Sequence, residues 1–196
     1  MRLPDDNKRR QIVATAAELF ASQPYHKVRL DDVAAAAGVG KGTLYVYFQS
    51  KEQLYFSIIS DGMAMLTSQL RDQLAGGHSG AIHRLRTIVG EVVDFCFGHP
   101  QLFEMMKAGI VPADNPHWNA QRDELFKLIE QTIQAGVDSG ELHDSQPALT
   151  ARFIPGLVRS AMLFARKDLD PEILKEQISH LLESGLSCNA PAPARV

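Results

Sequence analysis

Apolar residues recur along the chain at helical spacing, and no stretch keeps the two-residue alternation of a strand. Ile12, Ala16, Leu19 and Phe20 stand at i, i+4, i+7 and i+8, one face of a first helix that ends before Pro24. Val33, Ala34 and Ala37 mark a brief second helix, with Asp31 and Asp32 where the helix dipole favours acids. Gly38 follows where a C-cap needs a left-handed residue. A third helix covers roughly Lys41 to Phe48. Ser50 with Gln53 three residues on forms a capping box, opening a fourth helix from about Lys51 to Leu74, which Gly76-Gly77-His78-Ser79-Gly80 breaks. Further helical patterns cover about 81–98, 100–110, 117–139, 147–167 and 171–187. Their separators are His99-Pro100, Val111-Pro112 to Asn115-Pro116, Ser139-Gly140, and Asp168 to Pro171. Pro155-Gly156, inside the eighth pattern, is expected to kink or shorten it. Residues 189–196 read as a disordered tail. The pattern predicts an all-α chain of about nine helices.

Charge divides this chain of 196 residues unevenly. Residues 1–51 hold eight Lys and Arg against five Asp and Glu, whereas the remainder holds twelve against eighteen. A mildly basic head on an acidic body suits an N-terminal module for a polyanion. Cys96 and Cys188 fit no metal-ligand spacing, and His99, His117 and His143 show no i,i+4 pairing, so no metal site is expected. With no secretory signal and no apolar run of eighteen residues, the expectation is a cytoplasmic protein with reduced thiols and no membrane partner. Enzymatic chemistry finds no support: there is no Gly-rich phosphate loop after a strand and no nucleophile elbow. The adjacent carboxylates Asp31-Asp32 and Asp123-Glu124 point about 100° apart on a helix and read as solvated faces. No cofactor is expected.

The densest information lies between Ala37 and Lys51. A short helix, a Gly-containing turn and a second short helix is how a protein offers side chains to the major groove. With Leu44 at the centre of the inner face of the third helix, Phe48 falls within about 40° of it and the two anchor the helix. Gly42 and Val46 face the other way, flanked by Thr43, Tyr45 and Gln49. Gly42 lets the backbone approach, Thr43 donates or accepts, and Val46 suits a thymine methyl. Lys41 reaches phosphate or guanine, Tyr45 and Tyr47 offer hydroxyls to phosphate, and Lys51 adds charge beside a helix N-terminus.

Residues 9–56 resemble the N-terminal DNA-binding domain of TetR-family transcriptional regulators. The likeness runs through Ile12, Ala16 and Leu19-Phe20 to Asp32-Val33-Ala34 and Ala37-Gly38-Val39. It continues through Lys41-Gly42-Thr43-Leu44-Tyr45, Tyr47-Phe48 and Ser50-Lys51-Glu52-Gln53-Leu54. Two departures stand out: Val28-Arg29 replaces the Thr usual near the start of helix two, and Gly40 replaces a common Ser before helix three. Arg29 is a candidate phosphate contact in place of the missing hydroxyl.

The resemblance implies a DNA-binding domain over 1–52, with the helix-turn-helix at about 29–48, and an effector-binding and dimerisation domain over 53–188. It further implies a homodimer on a palindromic operator, repressing until a small, largely apolar effector releases it. An effector-independent regulator or an activator is the alternative, and a helical small-molecule enzyme a remote one. Candidate pocket residues are Phe95, Phe103, Met106, Trp118, Arg122, Phe126 and Phe153, where aromatics and Met concentrate; plain core accounts for the same concentration. Leu157, Val158, Ala161, Met162 and Ala165 form one apolar stripe, and Ile173, Ile178, Leu181, Leu182 and Leu186 another. Their spacing serves an intramolecular core equally; the resemblance implies a dimer interface.

Overall fold

The computed structural model describes residues 5–76, 80–108, 115–164 and 169–187, without the side chain of His117. The expected tail at 189–196 and Cys188 lie outside them. The described residues form nine α-helices and no strand: α1 (Asp6–Ser22), α2 (Leu30–Ala36), α3 (Lys41–Tyr47), α4 (Lys51–Ala75), α5 (Ala81–Gly98), α6 (Pro100–Lys107), α7 (Pro116–Asp138), α8 (Pro147–Phe164) and α9 (Pro171–Leu186). A single 3-10 turn at Tyr25–Lys27 joins α1 to α2.

Local chemistry sets most ends. The Asp5 carboxylate accepts from the Asn7 amide and caps α1, and Asp170 does the same for α9 through Glu172. After α2, Gly38 takes φ +61° while the Val39 amide donates to Ala34 and the Gly38 amide to Ala35. That is a Schellman closure, repeated after α7, where Gly140 takes φ +76°. At α4, Ser50 Oγ accepts from the Gln53 amide at 3.1 Å, while the Gln53 side chain accepts from the Gln49 amide at 2.7 Å. The box therefore closes one residue earlier than a standard capping box. Pro155 does not end the helix early: α8 continues through it to Phe164. Ile154 and Val158 on either side are fully buried, and their packing outweighs the one backbone bond that proline removes.

The chain divides into two compact units. The first comprises residues up to Met63 together with His99–Asn119, so it takes in α6 and is larger than the expected 1–52. Its core is built from Ile12, Ala16 and Phe20 of α1, Val33 and Ala34 of α2, Leu44 of α3, and Leu54 and Tyr55 of α4. Met105 brings α6 into that core, and Leu102 lies so close to α4 that a Cβ on Gly62 would sit 2.6 Å from it.

The second unit comprises Ala64–Gly98 and the residues from Ala120 onward, with α5 packed against α8 and α9. A Cβ on Gly136 would lie 2.5 Å from the Ala81 Cβ and 2.6 Å from Leu142 Cδ1. Gly136→Ala is expected to destabilise this unit by about 1–3 kcal/mol through overpacking. Urea denaturation checks this, and an unchanged midpoint would mean the α5–α7 approach is not tight.

Candidate nucleic-acid interface

Two buried anchors fix the orientation of α3: Leu44 is 0 % and Phe48 2 % exposed. Burying a leucine this fully stabilises by roughly 1.5–3 kcal/mol. The opposite side is left bare, as the wheel predicted: Val46 is 69 % and Tyr45 43 % exposed, large apolar surface that no described residue covers. Lys41 and Gly42 are exposed beside them, and Thr43 is half-buried. Arg29 and Gly40 occupy the N-cap positions of α2 and α3, and neither helix receives a side-chain cap bond there. The two departures from the family pattern thus stand at the caps.

The charged and phenolic groups are less free than the sequence suggested. Lys41 donates to the Asp31 carboxylate at 2.8 Å, an exposed ion pair between α3 and α2 that raises the lysine above its ordinary pKa. The Tyr47 hydroxyl accepts from the Asp5 amide at 2.7 Å and donates to the Asp5 carbonyl at 3.1 Å, tying the end of α3 to the start of α1. Lys51 donates to the Tyr25 carbonyl at 3.0 Å. Asp31→Asn releases Lys41 and removes a negative charge beside the exposed face of α3. It is expected to tighten DNA binding several-fold and steepen its salt dependence by about one counterion. Titrations at several salt concentrations read both, and weaker binding would show that Asp31 positions Lys41 usefully.

The structure does not gather the seven candidate pocket residues into one unit. Phe103, Met106 and Trp118 belong to the first, where Met106 and Trp118 pack on its core. Phe95, Arg122, Phe126 and Phe153 belong to the second. There Phe95 is buried at 7 % exposure, while Phe153 points outward at 52 %. Arg122 meets Asp123 at 3.3 Å. Phe126 is half-buried beneath the Arg152 guanidinium, 5.5 Å from its ring centre.

Ile178 and Leu182 are buried in the chain's own core, at 4 % and 8 %; α9 turns them inward with Leu174. Leu157 is exposed, and Ala161 and Met162 are half-buried. Among the described residues, the large apolar side chains exposed on these two helices are Leu149, Phe153, Leu157 and Phe164 of α8 with Ile173 and Leu181 of α9. Leu149 and Phe164 have no assignment from the sequence, whereas Ile173 and Leu181 stand in the same apolar stripe as Ile178 and Leu182. The signal for Leu149 and Phe164 is a second apolar row on a helix already assigned one. Among the described residues no group of three His, Cys, Asp or Glu could hold a metal, and no helix is long and apolar enough to cross a membrane.

A short helix presented by a buried tri-helical core, with its outer face bare, defines a helix-turn-helix DNA-binding protein. The family described as "Bacterial regulatory proteins, tetR family" matches residues 12–58, and "Tetracyclin repressor-like, C-terminal domain" matches residues 78–184. The chain belongs to the TetR family of DNA-binding transcriptional regulators, and it is not an enzyme. The HTH-type transcriptional activator FasR of Mycolicibacterium smegmatis is 36% identical over 94 residues, 48% of this chain and 42% of that relative. Among solved structures, the Bacillus subtilis regulator FadR in complex with stearoyl-CoA superposes with a TM-score of 0.80 at 20% identity, covering 90% of this chain and 98% of that one. AibR in complex with isovaleryl coenzyme A and operator DNA gives 0.74 at 21%, covering 89% and 97%.

Proposed function

We propose that the chain works as a homodimeric repressor released from a near-palindromic operator by an acyl thioester of coenzyme A. The observation that carries the dimer is the uncovered apolar face of α8 and α9. Leu149, Phe153, Leu157 and Phe164 fall within an arc of about 80° on α8, a surface suited to self-pairing about a two-fold. Such a pair sets two α3 helices about one DNA turn apart. Lys41, Gly42, Thr43 and Val46 then face base edges, while Arg29, Tyr45, Tyr47 and Lys51 meet the phosphate backbone.

The effector class is supported by the two structural neighbours that hold acyl-CoA ligands. A thioester that binds better to a dimer whose recognition helices no longer match the groove spacing lowers operator affinity. A coupling of about 1.4 kcal/mol gives a tenfold loss.

Selection from a random duplex library with purified protein tests the first half: an inverted repeat with half-sites one turn apart is the expected product. Titrating the protein–duplex complex with acyl-CoAs of four to eighteen carbons, free CoA and the free acids tests the second. Release by acyl-CoA alone is expected; release by none of the series would remove the effector assignment. FasR is named an activator, so the sign is tested separately, by transcription from the selected promoter in a deletion strain. Repression predicts a rise.

A further inference from the structure

One residue of the turn before α2 grips both residues that open α4. The Lys51 ammonium donates to the Tyr25 carbonyl at 3.0 Å and lies 4.2 Å from the centre of the Tyr25 ring. The Tyr25 hydroxyl donates to the Glu52 carboxylate at 2.9 Å. The ring itself is held on two sides, stacked on Phe20 at 5.7 Å and meeting Tyr55 edge-on at 5.1 Å. Tyr55 is buried at 1 % exposure, and its hydroxyl donates to the Met105 carbonyl of α6 at 2.6 Å.

This arrangement treats Lys51 differently from Lys41. The Lys41 charge is matched by Asp31. No ion pair among the described residues takes up the charge of Lys51. An aromatic face attracts a cation without neutralising it. An ammonium has three donors; one goes to the Tyr25 carbonyl, and two remain for an oxyanion. Glu52, the carboxylate next in sequence, is engaged by its own backbone amide, the Tyr25 hydroxyl and Ser50, and feels the Lys51 charge without pairing with it.

We propose that Tyr25 is a positioning residue for DNA binding: its ring and carbonyl hold Lys51 charged, unpaired and oriented toward a backbone phosphate, while its hydroxyl keeps Glu52 occupied. The gain is preorganisation, because a lysine already held in place loses less freedom when it meets DNA. The proposal rests on the phosphate contact assigned to Lys51, which one variant tests alone.

The experiment is a double-mutant cycle on the full chain, read by fluorescence anisotropy with the duplex recovered by selection. A mixed-sequence duplex at low salt reports the same phosphate contact. Lys51→Gln is expected to weaken binding on the order of tenfold, as loss of one phosphate contact does. Tyr25→Leu should weaken it about three- to tenfold, and Tyr25→Phe, which keeps the ring on Lys51 but releases Glu52, by less than Tyr25→Leu. In the Lys51→Gln background, Tyr25→Leu should change affinity by less than about twofold, because the partner it positions is gone.

Equal losses from Tyr25→Leu in both backgrounds would give Tyr25 a purely structural role and overturn the proposal. Should Tyr25→Leu unfold the domain, 3,4,5-trifluorophenylalanine at position 25 replaces it, with Tyr25→Phe as the reference. It keeps the ring's shape and drains charge from its face, so affinity should fall, and only while Lys51 is present. Unchanged affinity would overturn the proposal. If Lys51→Gln alone leaves affinity unchanged, the phosphate contact falls and the proposal with it, while binding by the unaltered protein keeps the DNA-binding reading intact.

Discussion

Replacing Phe153 with aspartate is expected to leave each chain folded, to turn dimers into monomers, and to lower operator affinity on the order of hundredfold or more. Phe153 is 52 % exposed in the single chain, so the new carboxylate stays hydrated and folding loses little. In the pair, two carboxylates related by the two-fold would be carried into an apolar contact, and burying charge without a partner is strongly unfavourable. The monomer keeps one recognition helix and loses the second as an intramolecular ligand, an effective-concentration loss of about 10²–10⁴. Sedimentation at micromolar concentration and duplex titration read the two effects together. A persistent dimer would place the interface elsewhere, whereas a monomer of undiminished affinity would show that pairing does not serve DNA binding.

Leu44→Ala acts at the other end of the problem. Leu44 is fully buried among Ile12, Ala16, Val33, Ala34 and Phe48 of the core around α3. Removing three carbons from such a site costs about 2–5 kcal/mol, the spread depending on how far the cavity collapses. In a unit this small that is a large share of the whole stability. Denaturant titration should show an early transition for the DNA-binding unit, with α8–α9 pairing retained and operator binding lost at physiological temperature. A shift below about 1 kcal/mol would mean that α3 is held by other contacts.

What could be read from the sequence was local. Gly38 announces its left-handed turn because only the residues from Ala34 to Val39 close it. Ser50 and Gln53 announce the start of α4 for the same reason, although the Gln49 amide rather than that of Ser50 donates to the Gln53 side chain. The inner and outer faces of α3 followed from helical geometry alone.

Long-range pairing was not legible. Nothing near Met105 or Trp118 indicates that they join the first unit. Lys41 and Lys51 read as free charges, yet one is paired with Asp31 and the other held by Tyr25. On α9 both neighbouring rows are apolar, so spacing alone does not say whether Ile178 and Leu182, or Ile173 and Leu181, turn inward. Burial decides for the first pair. Pro155 does not stop α8 because the buried residues on either side lock that helix in place.

The turn after α7 carries a consequence for how the chain is made. The Glu141 carboxylate accepts from the Ala81 amide at 2.7 Å and the Ile82 amide at 3.2 Å, so the start of α5 is capped from sixty residues away. Two residues on, the His143 amide donates to the Leu186 carbonyl at 2.7 Å and secures the end of α9. During synthesis, α5 therefore emerges long before its cap exists, and α9 arrives last at a fixture already waiting for it. The second unit is an assembly in which α5 and α9 are fastened to one bracket near its middle. Its folding must await distant loop closures, and a ribosome-bound chain ending before residue 141 would carry an α5 with a frayed beginning.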